Sequence, residues 1–182
     1  MDITIYGGSF DPPHIAHIKI IELAISELRP DLLIILVAHH NPLKEPPRFS
    51  ELTRLEWMQK LCDMPNVEVS DLEIKHKITN TIDSIKLIKK RLNPTNINLI
   101  IGSDYAQSLH LWDGFNELRE HVNFVLIKRV GFANLTNPHV SFTKILILDI
   151  KEEISSTDIR ANLRLDLTPS AIANSVKELL KP

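Results

Sequence analysis

Residues 3–17 read ITIYGGSFDPPHIAH: a β-branched and aromatic run, a glycine pair, then an acid, two prolines and two histidines three apart. The run ITIY predicts a short buried strand. Beyond the prolines, Ile18, Ile21, Ile25 and Leu28 recur at spacings of three and four, the stripe of an amphipathic helix. The stretch between is a strand-to-helix turn. Gly7 and Gly8 allow that turn to be tight and a ligand to approach backbone without meeting a Cβ. Pro12 and Pro13 are tolerated in a first helical turn, whose N–H groups have no intrahelical partner. Such groups attract an anion, and His14 and His17 fall on one face beside it. The spacing predicts a phosphate site with two imidazoles.

Working outward, apolar runs recur as LLIILVA at 32–38, INLIIG at 97–102, FVLIK at 124–128 and ILILDI at 145–150. Each is nearly continuous, as in strands buried on both faces of a parallel sheet. Helical patterns separate most of them. Residues 50–64, SELTRLEWMQKLCDM, open with Ser50 as a cap candidate and set Leu52, Leu55 and Met58 on one stripe. Residues 81–92 set Ile82, Ile85 and Leu92 on one side and Lys86, Lys89 and Lys90 in water, with Pro94 as the stop. Residues 155–182 predict two helices broken at Thr168-Pro169. The fold class is α/β: a Rossmann-like doubly wound parallel sheet with helices on both faces and a short C-terminal helical end, residues 1–182 forming one domain. The long loop HHNPLKEPPRF at 39–49 follows a strand, which puts it at the carboxyl end of the sheet, where such folds bind ligands.

A hydrophobic content of 43% excludes wholesale disorder, and a net charge of -2 argues against a chain built to coat nucleic acid. The basic stretch at 86–91 reads as a solvated helix face, and Arg48, Arg54 and Lys75 as surface charges. The single cysteine, Cys62, permits neither an intramolecular disulfide nor a cysteine-based zinc site, and its helical surroundings suggest a buried thiol. No basic-then-apolar leader opens the sequence, and the longest apolar run, 32–38, is too short to span a membrane. A cytoplasmic protein with no membrane contact is expected. Neither the G-x-G-x-x-G fingerprint nor a G-x-x-x-x-G-K-(S/T) loop is present.

Two more stretches carry chemistry. In ISSTDIR at 154–160, Ser155, Ser156 and Thr157 supply hydroxyls and N–H donors at a helix start, and Arg160 can brace a phosphate within one turn. In IGSDYAQSLHLWDGFNEL at 101–118, Gly102 ends a strand and Asp104 lies just beyond, placed for a ribose hydroxyl or for a helix N-cap. Trp112 offers a flat ring to an aromatic ligand, or is core.

GGSFDPPHIAH resembles the G-G-(S/T)-F-D-P-x-H-x-G-H motif of the nucleotidyltransferase superfamily of α/β phosphodiesterases, with Ala16 in place of its third glycine. ISSTDIR is similar to that superfamily's I-S-(S/A)-T-x-(I/V)-R element. The segment 101–118, NPLK at 41–44, VEVSDLEIKHKITNTIDSI at 67–85 and LIKRVGF at 126–132 resemble the bacterial nicotinate-nucleotide adenylyltransferases. The resemblance implies that Gly7, Gly8, Ser9, Phe10, Gly102, Asp104, Ser155, Ser156 and Thr157 bind ATP. It further implies that His14, His17 and Arg160 act on the phosphates. Lys44, Thr81, Trp112 and Asp113 would hold the nicotinate nucleotide. Asn80 and Asp113 stand where the family has tyrosines, and Val130 where it has proline. The implied reaction transfers AMP from ATP to nicotinate mononucleotide. Mg²⁺ would arrive on ATP, with no metal site of the protein's own and no nucleic-acid partner. Two alternatives stay open: a related adenylyltransferase acting on nicotinamide mononucleotide or phosphopantetheine, and a nucleotide sensor without turnover.

Overall fold

A computed structural model describes residues 1–40, 45–129, 137–150 and 154–181. In chain order the elements are β1 (Asp2–Gly8), α1 (Ile15–Leu28), β2 (Leu32–Val37), α2 (Glu51–Leu61), β3 (Val67–Ser70), α3 (Leu72–His76) and α4 (Thr81–Leu92). There follow β4 (Asn96–Gly102), α5 (Ser103–Ala106), α6 (Phe115–His121), β5 (Asn123–Arg129), β6 (Phe142–Leu148), α7 (Ser156–Asn162) and α8 (Ser170–Leu179). Single 3-10 turns lie at Leu109–Leu111 and Leu165–Leu167.

The six strands form one parallel sheet in the order β3-β2-β1-β4-β5-β6. The strand order reverses between β1 and β4, the switch point at which open α/β sheets bind ligands. These two strands pair from Asp2–Asn96 to Ile5–Leu99, and β1 then continues beside β2 as far as Gly8–Val37. Gly7 and Gly8 on β1 and Gly102 on β4 therefore stand at the mouth of the crevice.

Both faces of β1, β2, β4 and β5 are covered, as their continuous apolar runs predict; on the edge strand β6 that expectation fails, Ile145 and Ile147 being 53% and 54% exposed. On one face, Ile21 and Ala24 of α1, Met58 of α2 and Ile159 of α7 pack on Leu33, Ile35, Val125 and Ile127. On the other, Ile82, Ile85 and Ile88 of α4 and Leu118 of α6 pack on Ile3, Ile5, Ile34 and Leu99. A third cluster, Phe49 and Trp57 with Ile172 and Val176, seats α8 against α2, and the Trp57 indole N–H donates to Ser175 Oγ at 3.1 Å.

Ser50 caps α2 as anticipated, its Oγ accepting the Thr53 N–H at 3.1 Å, and Cys62 is buried, its thiol pushed up to about 11 by burial. The basic face of α4 carries ion pairs, Lys86 to Glu117 at 2.8 Å and Arg91 to Glu68 at 2.7 Å.

The structure corrects four further expectations. Leu52 is 65% exposed, because α2 lies between the sheet and α8 and turns Arg54, Trp57 and Met58 inward instead. Arg54 is no surface charge; it is fully buried. The prolines precede α1, which begins at Ile15 with His14 as N-cap; the Asp11-Pro12 bond is cis. Asp104 is exposed in the first turn of α5, and Gly102 is the N-cap. The unforeseen elements, β3, α3, α5 and α6, are all short, four to seven residues each.

Candidate active site

The turn after β1 is built from within. Gly7 and Gly8 end the strand, and the left-handed residue is Phe10, with φ 50°. Gly8 is required for another reason: a Cβ there would meet the Phe10 ring at 2.8 Å. Phe10 in turn packs edge-on against Tyr6 and His17, with centroids 5.7 and 5.0 Å away.

Three carbonyls of this turn are tied back by side-chain donors from distant elements. The Ser9 oxygen accepts from Arg54 Nη1 at 2.6 Å, the Pro12 oxygen from Ser156 Oγ at 2.9 Å, and the Asp11 oxygen from Arg160 Nη1. A turn that receives phosphate must keep its carbonyl dipoles off the anion, and these bonds hold them there. The two quoted motifs, about 145 residues apart, thus meet in one structure. Ser155 caps α7 by accepting the Asp158 N–H at 3.1 Å, while Arg160 Nη2 donates to Thr157 Oγ1 at 3.3 Å.

Asp11 explains how the meeting is held. It is 5% exposed; its two oxygens accept the Arg48 and Phe49 backbone N–H groups, both at 2.9 Å, and Arg160 Nη1 lies 3.1 Å from Oδ2. The carboxylate therefore joins the first turn, the far end of the 39–49 loop and α7. With five N–H donors in its fork, Arg160 retains capacity for a phosphate oxygen. Sequence reasoning passed over Asp11 and misread Arg54; an acid inside a turn and a basic residue beside a cap carry no local sign of their distant partners.

The imidazoles of His14 and His17 stack, centroids 3.6 Å apart and planes inclined by 15°. The His14 backbone N–H donates to His17 Nδ1 at 3.2 Å. With Nδ1 accepting, the neutral His17 ring carries its proton on Nε2, as a donor. His14 is buried and His17 half-buried.

Across the crevice, Gly102 has nothing within 4 Å of where a Cβ would stand, and Asp104 lies exposed two residues on. Thr81 opens α4. Gly114 caps α6 with φ 72°, and a Cβ there would stand 2.6 Å from Cγ2 of Ile82, next to Thr81. Glycine is required at this position on both counts. Gly114, the residue after Asp113, is thus packed against Ile82, the residue after Thr81. Trp112 is half-buried, edge-on to Tyr105 at 5.9 Å, and its indole N–H is buried without a partner among the described residues; Asp113 is exposed. Lys44 and Val130 lie outside the described residues.

Next to α4, Glu73 of α3 is 9% exposed and accepts from Ser84 Oγ at 2.7 Å. Burial pushes its carboxyl from 4.5 up to about 7, against the opposing pull of the Ser84 hydroxyl, the His39 backbone N–H and the His39 ring. The folded value lies above the unfolded one. The associated stability is therefore full below about pH 4.5 and lost as pH rises to about 7, a difference of roughly 3 kcal/mol. Glu73→Gln should remove this slope: in chemical denaturation from pH 5 to pH 8, the variant gains on the wild type as pH rises. A difference independent of pH would refute the assignment.

Among the described residues no three His, Cys, Asp or Glu side chains gather as metal ligands, and Asp11 is already engaged. No described helix is long and apolar enough to cross a membrane.

Residues 5–162 match the cytidylyltransferase-like family. The chain is similar to a probable nicotinate-nucleotide adenylyltransferase of a Nitratiruptor species, 33% identical over 97% of each chain. It is also similar to one from Campylobacter jejuni, 40% identical over 98% of this chain and 96% of the relative. Among solved structures, Plasmodium falciparum nicotinic acid mononucleotide adenylyltransferase complexed with NaAD shares the fold. Its TM-score is 0.67 at 24% identity, over 97% of this chain and 89% of that one.

Proposed function

We infer the working of the site from one premise: the chain belongs to the nicotinate-nucleotide adenylyltransferase family. Its reaction transfers AMP from ATP to nicotinate mononucleotide and releases pyrophosphate, a step of NAD biosynthesis. The observation that carries this reading on the structure is the docking of α7 onto the turn after β1, through Ser156 to Pro12 and Arg160 to Asp11. It makes one anion cradle at the switch point of the sheet.

In this reading ATP lies with its phosphates against the turn of Gly7, Gly8, Ser9 and Phe10 and the N-terminus of α7, where Ser155, Ser156 and Thr157 sit. Gly102 leaves room for the nucleoside and Asp104 takes a ribose hydroxyl. The acceptor nucleotide lies between Thr81 and the Trp112-Asp113 segment, with Lys44 approaching from the 39–49 loop. The acceptor's phosphate oxygen attacks the α-phosphorus in line. The bond from that phosphorus to the bridging oxygen breaks, and its electron pair leaves with pyrophosphate. A phosphate monoester is already ionised near pH 7, so no general base is required. His14, His17 through Nε2, and Arg160 donate to phosphate oxygens as charge shifts toward the leaving group. A divalent ion, which we take as Mg²⁺, would be held by the phosphates of ATP rather than by side chains of the chain, and would supply positive charge to offset theirs. Residues 1–182 act as one cytoplasmic domain with small-molecule partners only.

The test is pyrophosphate release from Mg-ATP with nicotinate mononucleotide, nicotinamide mononucleotide or phosphopantetheine offered separately. Preference for the first is expected. Release only with another acceptor would overturn the substrate assignment, and ATP binding without release would make the chain a sensor. Trp112→Ala should raise the KM for the pyridine nucleotide by about tenfold, the loss of one aromatic stacking partner, and leave the KM for ATP unchanged. Equal effects on both would remove Trp112 from the acceptor site.

A further inference from the structure

A cavity of about 360 Å³ opens beside α6, lined by His110, Phe115, Asn116, Arg119, Pro138 and His139. None of these belongs to the residues assigned above to ATP or the acceptor, and among the described residues no acid lines it. Its three basic side chains come from three separate stretches. His110 lies on the 3-10 turn at Leu109–Leu111, Arg119 on α6, and His139 in the segment ahead of β6.

One buried side chain sets both imidazoles. Asn137 is 9% exposed, and its Nδ2 donates to the carbonyls of Ala106 at 2.8 Å and Gln107 at 3.1 Å. An amide nitrogen facing carbonyls can only donate. His110 Nδ1, 3.1 Å from it, therefore accepts, and the neutral ring carries its proton on Nε2. Asn137 Oδ1 accepts the His139 backbone N–H at 2.9 Å. The two rings stack, with centroids 4.7 Å apart and planes inclined by 30°. Arg119 lies over Phe115, its Cζ 5.9 Å from the ring centroid, and no carboxylate pairs with it among the described residues.

These features decide the sign and the shape of a ligand. Imidazole lone pairs lie in the ring plane, and planes stacked this way do not meet near either ring. The pair cannot close on one cation, which Arg119 would repel in any case. As donors, the two rings can serve separate oxygens of one anion. The arginine fork alone takes up both oxygens of a carboxylate; the imidazoles call for further oxygens, which a phosphate group has. We propose that this cavity binds a phosphate-bearing anion through Arg119, His110 and His139, outside the crevice in which the reaction is placed.

Proton–carbon NMR of the imidazoles tests this. The ring signals of His110 and His139, assigned through His110→Ala and His139→Ala, read the cavity, and those of His14 and His17 read the crevice in the same titration. With diphosphate added at constant pH and ionic strength, the first pair should shift and saturate. In Arg119→Ala the midpoint of that shift should move to at least about tenfold higher concentration, the loss of one charge-assisted hydrogen bond. The midpoint read at His14 and His17 should stay. Arg119 is exposed, so the variant should keep the wild-type melting temperature. Should it not fold, His139→Ala read at His110 takes its place, with a loss of about fivefold. Orthophosphate and ADP, offered separately, distinguish a free anion from one carried on a nucleotide, the tightest binder of the three naming the source. Unmoved His110 and His139 signals, a midpoint indifferent to Arg119→Ala, or malonate bound as tightly as diphosphate would each overturn the proposal.

Discussion

His17→Ala is expected to lower kcat by at least ~30-fold, or ~2 kcal/mol of barrier, the scale of losing one donor to transition-state charge. The size follows from how the ring is held. Its Nδ1 accepts the His14 N–H at 3.2 Å, so Nε2 is the donor. The Phe10 ring against its edge and the His14 ring over its face then fix its direction. A donor held this firmly needs no reorganisation as charge develops on the phosphates. The substitution also removes a cap from α1, worth about 1 kcal/mol of stability. Melting temperature must therefore be followed beside rate. A modest loss of stability with a large loss of kcat fits the assignment; near-normal turnover removes His17 from catalysis.

Arg54→Met should cost about 3–5 kcal/mol of folding stability, read as a lowered denaturation midpoint in urea. The guanidinium is fully buried and donates to Ser9 O at 2.6 Å, Ala38 O at 2.9 Å and Phe49 O at 3.2 Å. Burial lowers its pKa, and the Asp11 and Glu51 carboxylates oppose that shift. Methionine fills much of the volume but takes the donor from four buried or part-buried carbonyls, those of Ser9, Ala38, Phe49 and His39, and removes the countercharge near Asp11. Total stabilities of 5–15 kcal/mol are usual, so the loss is a large share. Activity should fall with stability, because the Ser9 carbonyl is then free to swing toward the phosphates. A midpoint equal to that of the wild type would show that the carbonyls find other donors.

The parallel sheet was legible because ITIY, LLIILVA, INLIIG, FVLIK and ILILDI are apolar on both faces, a pattern that few other structures tolerate. The short elements were not. The β3 strand, VEVS, is three parts half-exposed, and α3 and α5 are too short to show a helical period. At the candidate site, the first turn and the ISSTDIR segment could each be read alone as an anion cradle, since glycines, hydroxyls and a helix start act locally. What joins them could not. Asp11, Arg54 and Ser156 work through partners 37 to 144 residues away, and no spacing in the sequence encodes such a distance. Glu73 has its partner, Ser84, only 11 residues away, but the five-residue α3 is too short to show which of its side chains is buried.

Direct transfer, with His14 and His17 as donors and never as nucleophiles, is tested by incubating the protein with α-labelled Mg-ATP and no acceptor. The reaction is then quenched under conditions that preserve a phosphorus–nitrogen bond. The predicted result is no pyrophosphate and no label on the protein until nicotinate mononucleotide is added, when label appears in the dinucleotide. Stoichiometric AMP attached to either histidine, with a matching burst of pyrophosphate, would contradict it.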